Sequence, residues 1–288
     1  MNPRVQLALA AALFSTGGAA IKLAHFSGWQ VLAFRAAVAF GTILLLVPEA
    51  RAGRQWGWRP ALVALAYGAT TLLYVQANKL TTAANTVFLQ NTNPLFLLAL
   101  GPLLLGERAS RRDLAYMVVL GAGMALFFVG TPRRFATAPN PLLGNALAAA
   151  CSLTWAFTLV GYRWLSRHGI SVATAAVMGN LFAALVALPH ALPVAPGHGG
   201  DWLVVLYLGV LQLGLPYVFL TRAIPRVTAL EASLVLLIEP VLNPIWAWWV
   251  HGETVGRWAL VGGAVILSAT LHRSWTESRE TGAVTRRA

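Results

Sequence analysis

Residues 89–107 read LQNTNPLFLLALGPLLLGE, and 146 positions later residues 235–253 read VLLIEPVLNPIWAWWVHGE. Each copy has a proline inside an apolar run, Pro94 or Pro240, and a Gly-Glu pair whose glutamate follows that proline by 13 positions. Further matches at the same offset extend the register on both sides. The pattern therefore indicates a duplicated unit.

The two prolines predict breaks in two membrane helices. A proline inside a helix leaves the carbonyl four residues earlier without its usual donor, which here means Gln90 and Leu236. In lipid such a carbonyl must find another partner. Paired interruptions at corresponding positions of two hydrophobic halves are a sequence pointer to a transporter's substrate site.

The composition is that of a membrane protein, because 58% of the residues are hydrophobic, only 10% are charged and the mean hydropathy is +0.67. Apolar runs of about 20 residues can cross the roughly 30 Å hydrocarbon layer. Ten such runs are predicted, and they lie near residues 5–24, 29–48, 60–78, 83–104, 114–131, 141–162, 171–191, 202–221, 229–250 and 257–272. The first is read as a retained helix rather than a signal peptide. The short loops leave no room for a sizeable soluble module.

The net charge of +12 is distributed unevenly. With the N-terminus placed in the cytoplasm, the 21 Lys and Arg residues fall about three to one on the cytoplasmic side. This bias follows the positive-inside rule and predicts that both termini are cytoplasmic. The basic excess therefore orients a multi-pass protein of the bacterial cytoplasmic (inner) membrane and does not indicate nucleic-acid binding.

These observations predict an all-α integral membrane protein with ten transmembrane helices in two inverted five-helix repeats. The repeats are residues 1–138 and 139–273, and residues 274–288 form a basic cytoplasmic tail. An odd number of spans in each repeat makes the second enter the membrane in the opposite direction. Such halves allow a site near the membrane midplane to open to either side in turn.

The chain resembles the drug/metabolite transporter superfamily and in particular its EamA-type exporters. The resemblance covers nearly the whole chain and is carried by Phe34-Arg35, Asn91-Thr92-Asn93-Pro94, Ile238-Glu239-Pro240 and the stretch from Phe14 to Lys22. Within that superfamily it is most similar to the bacterial YddG-type exporters. The resemblance implies aromatic amino acids and related metabolites as substrates.

Polar and aromatic residues recur on single faces of several predicted spans, a pattern that fits either a cavity wall or contacts between helices. Examples are Tyr74 and Asn78 on the third span and Trp155 and Thr158 on the sixth. The candidate substrate-binding residues are Thr16, Tyr74, Asn78, Asn85, Phe88, Trp155, Thr158, Tyr217, Glu239 and Trp246. Aromatic rings among them suit a planar apolar substrate.

Glu239 is an acid at membrane depth, which is a functional candidate by default. Three roles are open: it takes up and releases a proton, it holds a substrate ammonium, or it pairs with Arg35. Asn243 and Trp246 follow it on the same helix face. Pro94, Pro216 and Pro240 are the candidate hinges or helix breaks.

Lys22 and Lys79 are the only lysines, and both fall at the predicted outer ends of spans. They are candidates for an exit mouth that attracts a departing carboxylate, or they extend to the lipid head groups. The single cysteine, Cys151, excludes an intramolecular disulfide. The six histidines have no ligand spacing, so neither a metal nor another cofactor is predicted.

The predicted function is a secondary exporter of small amphipathic metabolites, aromatic and other large neutral amino acids first, working as a monomer. The alternatives are an exporter of lipophilic cationic drugs and a passive channel. No phosphate-binding loop indicates ATP drive. An integral-membrane enzyme is excluded because its only candidate carboxylates, Glu231 and Glu239, would lie about 12 Å apart along a helix.

Overall fold

The computed structural model describes residues 1–51, 55–104, 110–129, 136–194, 199–223, 226–227 and 235–285. Their regular secondary structure consists of helices, which we number along the chain. The α-helices are α1 (Pro3–Ser15), α2 (Gly17–Leu23), α3 (Gly28–Leu46), α4 (Trp58–Leu80), α5 (Ala83–Gln90), α6 (Asn93–Leu104), α7 (Arg111–Val129), α8 (Pro141–Arg167), α9 (Val172–Ala191), α10 (Gly199–Tyr207), α11 (Leu215–Ala223), α12 (Ile238–His251) and α13 (Arg257–Thr285). A 3-10 helix spans Pro48–Arg51 and a π-helix spans Leu208–Gly214. Gly106, Glu107 and Glu231 lie outside the described residues.

Several helices begin at a polar side chain that accepts a hydrogen bond from a backbone N–H in the first turn. Such a cap satisfies a donor that has no partner within the helix. The capping residues are Asn2, Ser27, Thr82, Asn140 and Ser171. Polar residues between the apolar runs thus set where the helices start.

Seven segments among the described residues are long and apolar enough to cross a membrane. They are Pro3–Leu23, Gly28–Leu46, Trp58–Leu80, Arg111–Val129, Pro141–Arg167, Val172–Ala191 and Gly199–Leu220. The chain is therefore a multi-pass membrane protein. The other three predicted spans correspond to the broken pair α5 and α6, to α12, and to α13, which continues through Thr285 past the predicted start of the tail at residue 274.

The first predicted span is interrupted at Thr16, between α1 and α2, although the sequence predicted one continuous helix over 5–24. The hydroxyl of Thr16 donates to the carbonyl of Leu13 at 2.7 Å. Gly18 follows the break, and a Cβ on it would lie 2.6 Å from the Cβ of Ala83. The interruption therefore lets α2 approach α5 closely, which the sequence pattern did not reveal because it contains no proline.

The fourth predicted span is broken where Pro94 predicted a break. α5 ends at Gln90 and α6 begins at Asn93, one residue before the proline. The carbonyl of Gln90 accepts a hydrogen bond from Ser152 Oγ at 3.1 Å and one from Asn93 Nδ2 at 3.2 Å. The prediction that this carbonyl finds new donors is confirmed.

The two other candidate hinge prolines also lie next to irregular backbone. Pro216 is the second residue of α11, which directly follows the π-helix, and it offers no N–H to the carbonyl of Gln212 in that π-helix. Pro240 lies in the first turn of α12, which begins at Ile238. A proline in a first turn removes no helical hydrogen bond, whereas Pro244 lies inside α12 and leaves the carbonyl of Pro240 without its helical donor; α12 nevertheless continues to His251.

Close helix packing depends on glycine at α7 and α13. A Cβ on Gly262 would lie 2.6 Å from the carbonyl oxygen of Gly123, and a Cβ on Gly123 would lie 3.0 Å from Ile266 Cγ1. The glycine-containing stretches around Gly123 and Gly262 therefore lie against each other. Elsewhere α4 packs against α8 and α9, α3 packs against α9, and α1 packs against α11 and α12.

Candidate functional site

A buried ion pair joins the two halves of the chain at one end of the helix bundle. Lys22 Nζ, at the end of α2, lies 2.9 Å from Glu253 Oε1, and the two side chains are 1% and 3% exposed. Lys22 also donates to the carbonyl of Thr81 at 2.7 Å and to that of Thr137. In this structure Lys22 therefore does not face an open exit mouth.

The Glu253 carboxylate has a complete set of partners. Its Oε2 accepts from the backbone N–H of Ala83 at 3.0 Å, and its Oε1 accepts from Thr137 Oγ1 at 2.7 Å. Ala83 is the first residue of α5, so the carboxylate also meets the positive end of that helix. The second copy of the Gly-Glu motif, Gly252-Glu253, thus has a structural role that its spacing alone did not disclose.

The second lysine lies nearby. Lys79 Nζ donates to the carbonyl of Ala24 at 2.7 Å, and the side chain is half-buried. It is within electrostatic range of Lys22 and of Asp201. The two predicted exit-mouth lysines are therefore brought to the same end of the bundle, one held in an ion pair and the other by a carbonyl.

Asn85 belongs to a buried amide network between α5 and α8. Its Nδ2 donates to Asn145 Oδ1 at 3.1 Å, and Thr81 Oγ1 donates to the same oxygen at 2.7 Å. Asn145 Nδ2 in turn donates to the carbonyl of Phe127 at 2.9 Å. Asn85 is only 3% exposed, so the observed contacts are those of helix packing.

Phe88 lies on the same helix and packs away from that network. Its ring is 6.1 Å from the ring of Phe127, and a Cβ on Gly263 would lie 2.9 Å from it. It belongs to an apolar cluster with Leu120 and Ile266. In this structure the contacts of Phe88 are with α7 and α13.

An aromatic cluster on α1, α4, α8 and α11 contains two of the predicted site residues. Tyr217 makes edge contacts with Phe14 at 6.1 Å and with Tyr67 at 5.9 Å between ring centroids. Trp155 makes an edge contact with Tyr162 at 6.3 Å. Phe14, Tyr67, Trp155, Tyr162 and Tyr217 pack in one hydrophobic group. The structure therefore brings together Trp155 and Tyr217, two of the residues predicted from the sequence to line the site.

Polar contacts hold other predicted residues beside the broken first span. Thr16 Oγ1 is 2.8 Å from the hydroxyl of Tyr207, and Trp246 Nε1 donates to Ser15 Oγ at 2.9 Å. Thr158, which is fully buried, donates to the carbonyl of Thr154 in its own helix at 2.9 Å. Thr16, Trp155 and Trp246 are half-buried and so keep part of their surface free.

Glu239 is half-buried at the start of α12. Glu239 and Arg35 do not form an ion pair among the described residues, so the two are not paired in this conformation. Tyr74 is within electrostatic range of both charges. The Asn78 amide donates to the carbonyl of Tyr74 at 2.9 Å, while its Oδ1 is buried without a partner.

Several buried polar groups lack a hydrogen-bond partner; the sequence analysis named Asn243 and Arg35 among them but missed Asn180 and Gln212. Buried atoms without a hydrogen-bond partner include both amide atoms of Asn243, Oδ1 of Asn180, Oε1 of Gln212 and two guanidinium nitrogens of Arg35. The sequence signal for these groups was the occurrence of a single polar residue within an apolar run. Periodicity could not rank them, because their partners or lack of partners depend on helices far away in the chain.

Comparison with known proteins places these features in a family. The model of the EamA-like transporter family matches the chain twice, over residues 4–129 and 142–272. The chain is 29% identical to the pseudopaline exporter CntI of Pseudomonas aeruginosa strain UCBPP-PA14 over 280 residues, which cover 93% of this chain and 94% of that protein. It is 30% identical to the aromatic amino acid exporter YddG of Ancylobacter novellus over 148 residues, 50% of each chain.

A solved crystal structure has the same fold. It superimposes with a TM-score of 0.64 at 21% sequence identity and covers 96% of this chain and 98% of its own. The all-helical fold is therefore shared along nearly the full length of both chains.

Proposed function

The chain belongs to the EamA-like transporter family, and on that premise we propose that it is a secondary exporter of small amphipathic metabolites, aromatic and other large neutral amino acids first. The observation that carries the proposal is the interior group of aromatic side chains around Tyr217, together with the acid Glu239 and no ion-pair partner for it among the described residues. Rings suit a planar side chain, and an acid suits an ammonium.

The transport mechanism is alternating access by ten spans in two inverted five-helix repeats, residues 1–138 and 139–273. The double match to one family model supports the duplication. The packing is also consistent with inversion: α3 contacts α9 and α7 contacts α13, which are the corresponding second and fifth spans of the two repeats. The contact of α4 with α8 likewise corresponds to that of α11 with α1.

The protein resides in the bacterial cytoplasmic membrane with both termini in the cytoplasm and works as a monomer. The distribution of Lys and Arg supports this orientation. The bacterial sources of both named exporters support the membrane assignment. The buried pair of Lys22 and Glu253 would then close the periplasmic end, leaving the cytoplasmic end as the side from which an exported substrate enters.

The names of the two exporters define the substrate panel. The aromatic amino acid exporter supports tryptophan, phenylalanine and tyrosine as the first candidates. The pseudopaline exporter matches more of the chain, so pseudopaline belongs in the same panel. The aromatic cluster favours the amino acids because offset and edge contacts add about 0.5–1.5 kcal/mol for each ring pair.

Efflux from purified proteoliposomes loaded with substrate tests the proposal. We expect saturable, inside-to-outside movement of labelled tryptophan, and competition by unlabelled phenylalanine. Flux that rises linearly with concentration indicates a channel, and competition by tetraphenylphosphonium alone indicates a cation exporter. If no member of the panel moves, the amino-acid assignment is wrong.

The variant Glu239→Gln tests the interior acid, and Glu49→Gln is its control because Glu49 is exposed outside the long helices. We expect Glu239→Gln to lower tryptophan flux or remove its response to a pH gradient, with Glu49→Gln unchanged. If Glu239→Gln retains both flux and pH response, Glu239 neither carries a proton nor binds the ammonium of the substrate.

A further inference from the structure

Arg35, in the middle of α3, is a buried charge without a counter-charge. Its side chain is 2% exposed, and its Nε and Nη1 have no hydrogen-bond partner. The groups within electrostatic range of the guanidinium are the neutral side chains of Tyr67, Tyr74, Tyr217 and Cys151. None of the ion pairs seen among the described residues includes Arg35.

Such an arrangement is energetically costly unless a ligand completes it. An arginine remains charged under all ordinary conditions and has five N–H donors in a fixed planar geometry. Leaving a buried charge without a partner costs more than leaving a neutral polar group without one. Ionisable residues retained inside membrane proteins accordingly mark substrate or ion pathways.

The surroundings of Arg35 coincide with the aromatic interior. Tyr67 and Tyr217 make the edge contact that holds the aromatic cluster together. Tyr74 lies within electrostatic range of both Arg35 and Glu239. This tyrosine is thus within electrostatic range of a cation and an anion that are not paired with each other.

We infer that Arg35 binds the carboxylate of the transported substrate, so that the protein selects molecules carrying a carboxylate next to an apolar or aromatic body. The guanidinium can donate two parallel hydrogen bonds to the two oxygens of a carboxylate, a pairing that a lysine cannot reproduce. Glu239 is then placed to receive the ammonium of a zwitterion. The inference rests on the proposed export function and defines its substrate class.

Competition by matched ligands tests the inference without any mutation. Tryptophan and tryptophanamide differ in replacing the carboxylate by a neutral amide, while both keep the ring and the ammonium. With labelled tryptophan in wild-type proteoliposomes, we expect tryptophanamide to compete at least tenfold more weakly than unlabelled tryptophan. Equal competition by the two ligands overturns the inference while leaving export of tryptophan intact.

Two variants assign the selectivity to Arg35. Arg35→Gln should reduce the affinity for tryptophan by roughly tenfold or more. The affinity for tryptophanamide should stay nearly unchanged, so that the variant binds the two ligands about equally. Arg35→Lys keeps the charge and should retain part of the preference. Arg167→Gln is the control, because Arg167 is exposed at the end of α8. If Arg35→Gln folds and retains the full preference, Arg35 does not bind the carboxylate.

A structural role gives a different pattern. If Arg35 instead pairs with Glu239 during the cycle, Arg35→Gln weakens the binding of both ligands equally. The double variant Arg35→Gln/Glu239→Gln then recovers flux. These two results together overturn the inference. Thermal unfolding in detergent shows whether each variant is folded. If Arg35→Gln does not fold, the comparison of the two ligands on the wild-type protein still tests the inference. Absence of any tryptophan flux in the wild type contradicts the proposed function itself.

Discussion

The ammonium of Lys22 lies 2.9 Å from the carboxylate of Glu253, and the pair connects the end of α2 to the segment that follows α12. Both groups are almost completely buried, and each makes further hydrogen bonds. A charge buried in this way is strongly dependent on its partner, because removal of either one leaves the other uncompensated. Four segments of the chain, around Lys22, residues 81–83, Thr137 and Glu253, therefore meet at this ion pair.

Replacement of one partner should destabilise the protein strongly. We expect Glu253→Gln or Lys22→Met to cost about 3–5 kcal/mol, and the double variant to cost less than the sum of the two. Denaturant-dependent unfolding in detergent provides the measurement. Lys79→Met is the control with a smaller effect, because its half-buried ammonium bonds a single carbonyl. Additive single effects would contradict the coupling.

Two glycines in α7 should respond differently to alanine. Gly123→Ala places a Cβ 3.0 Å from Ile266 Cγ1, whereas Gly121→Ala meets nothing within 4 Å. We expect the first to be destabilising through overpacking, by about 1–3 kcal/mol, and the second to be neutral or slightly stabilising because alanine favours helix. Melting temperatures of the two variants should therefore move apart, and equal shifts would count against the close crossing of α7 and α13.

The hydroxyl of Ser152 should stabilise the break at Pro94. Ser152→Ala removes the 3.1 Å hydrogen bond to the Gln90 carbonyl, and we expect a cost of about 0.5–1.5 kcal/mol because that carbonyl keeps only Asn93 Nδ2 as a donor. Ser166→Ala, on the same helix, is the matched control: its exposed hydroxyl bonds the carbonyl of Tyr162 within α8. A comparable loss of stability in both variants would refute a special role for Ser152.

Asn85 should matter for stability more than for substrate affinity. Asn85→Ala removes one of the two donors to Asn145 Oδ1, and we expect a loss of about 0.5–1.5 kcal/mol while the concentration for half-maximal tryptophan flux stays unchanged. Trp155→Ala should do the reverse, since its half-buried ring lies in the aromatic cluster. Flux curves and thermal unfolding of both variants check the contrast. A changed substrate affinity in Asn85→Ala would return this residue to the binding site.

Local features of the fold could be predicted from the sequence, whereas contacts between distant segments could not. Apolar length predicted most of the spans, and Pro94 predicted a break because proline acts on its own helix. The break at Thr16 has no such marker. It depends on the close approach of Gly18 to Ala83, which arises only when α2 and α5 have packed.

The candidate site shows the same limit. Tyr217 and Trp155 could be placed in one interior because aromatic residues on one helix face predict a shared surface. Asn85 has the same pattern, yet its partner Asn145 lies 60 residues away and turns it into a packing residue. The isolation of Arg35 was equally invisible, since a missing partner is a property of all the surrounding helices together.

The contact between Gly18 and Ala83 has an evolutionary consequence. A side chain on Gly18 would begin 2.6 Å from the Ala83 Cβ, and the N–H of Ala83 is bonded to Glu253. A larger residue at either position would push α5 away from the carboxylate. We therefore expect positions 18, 83 and 253 to be inherited as a set, with enlargement at one tolerated only in lineages that have already changed another.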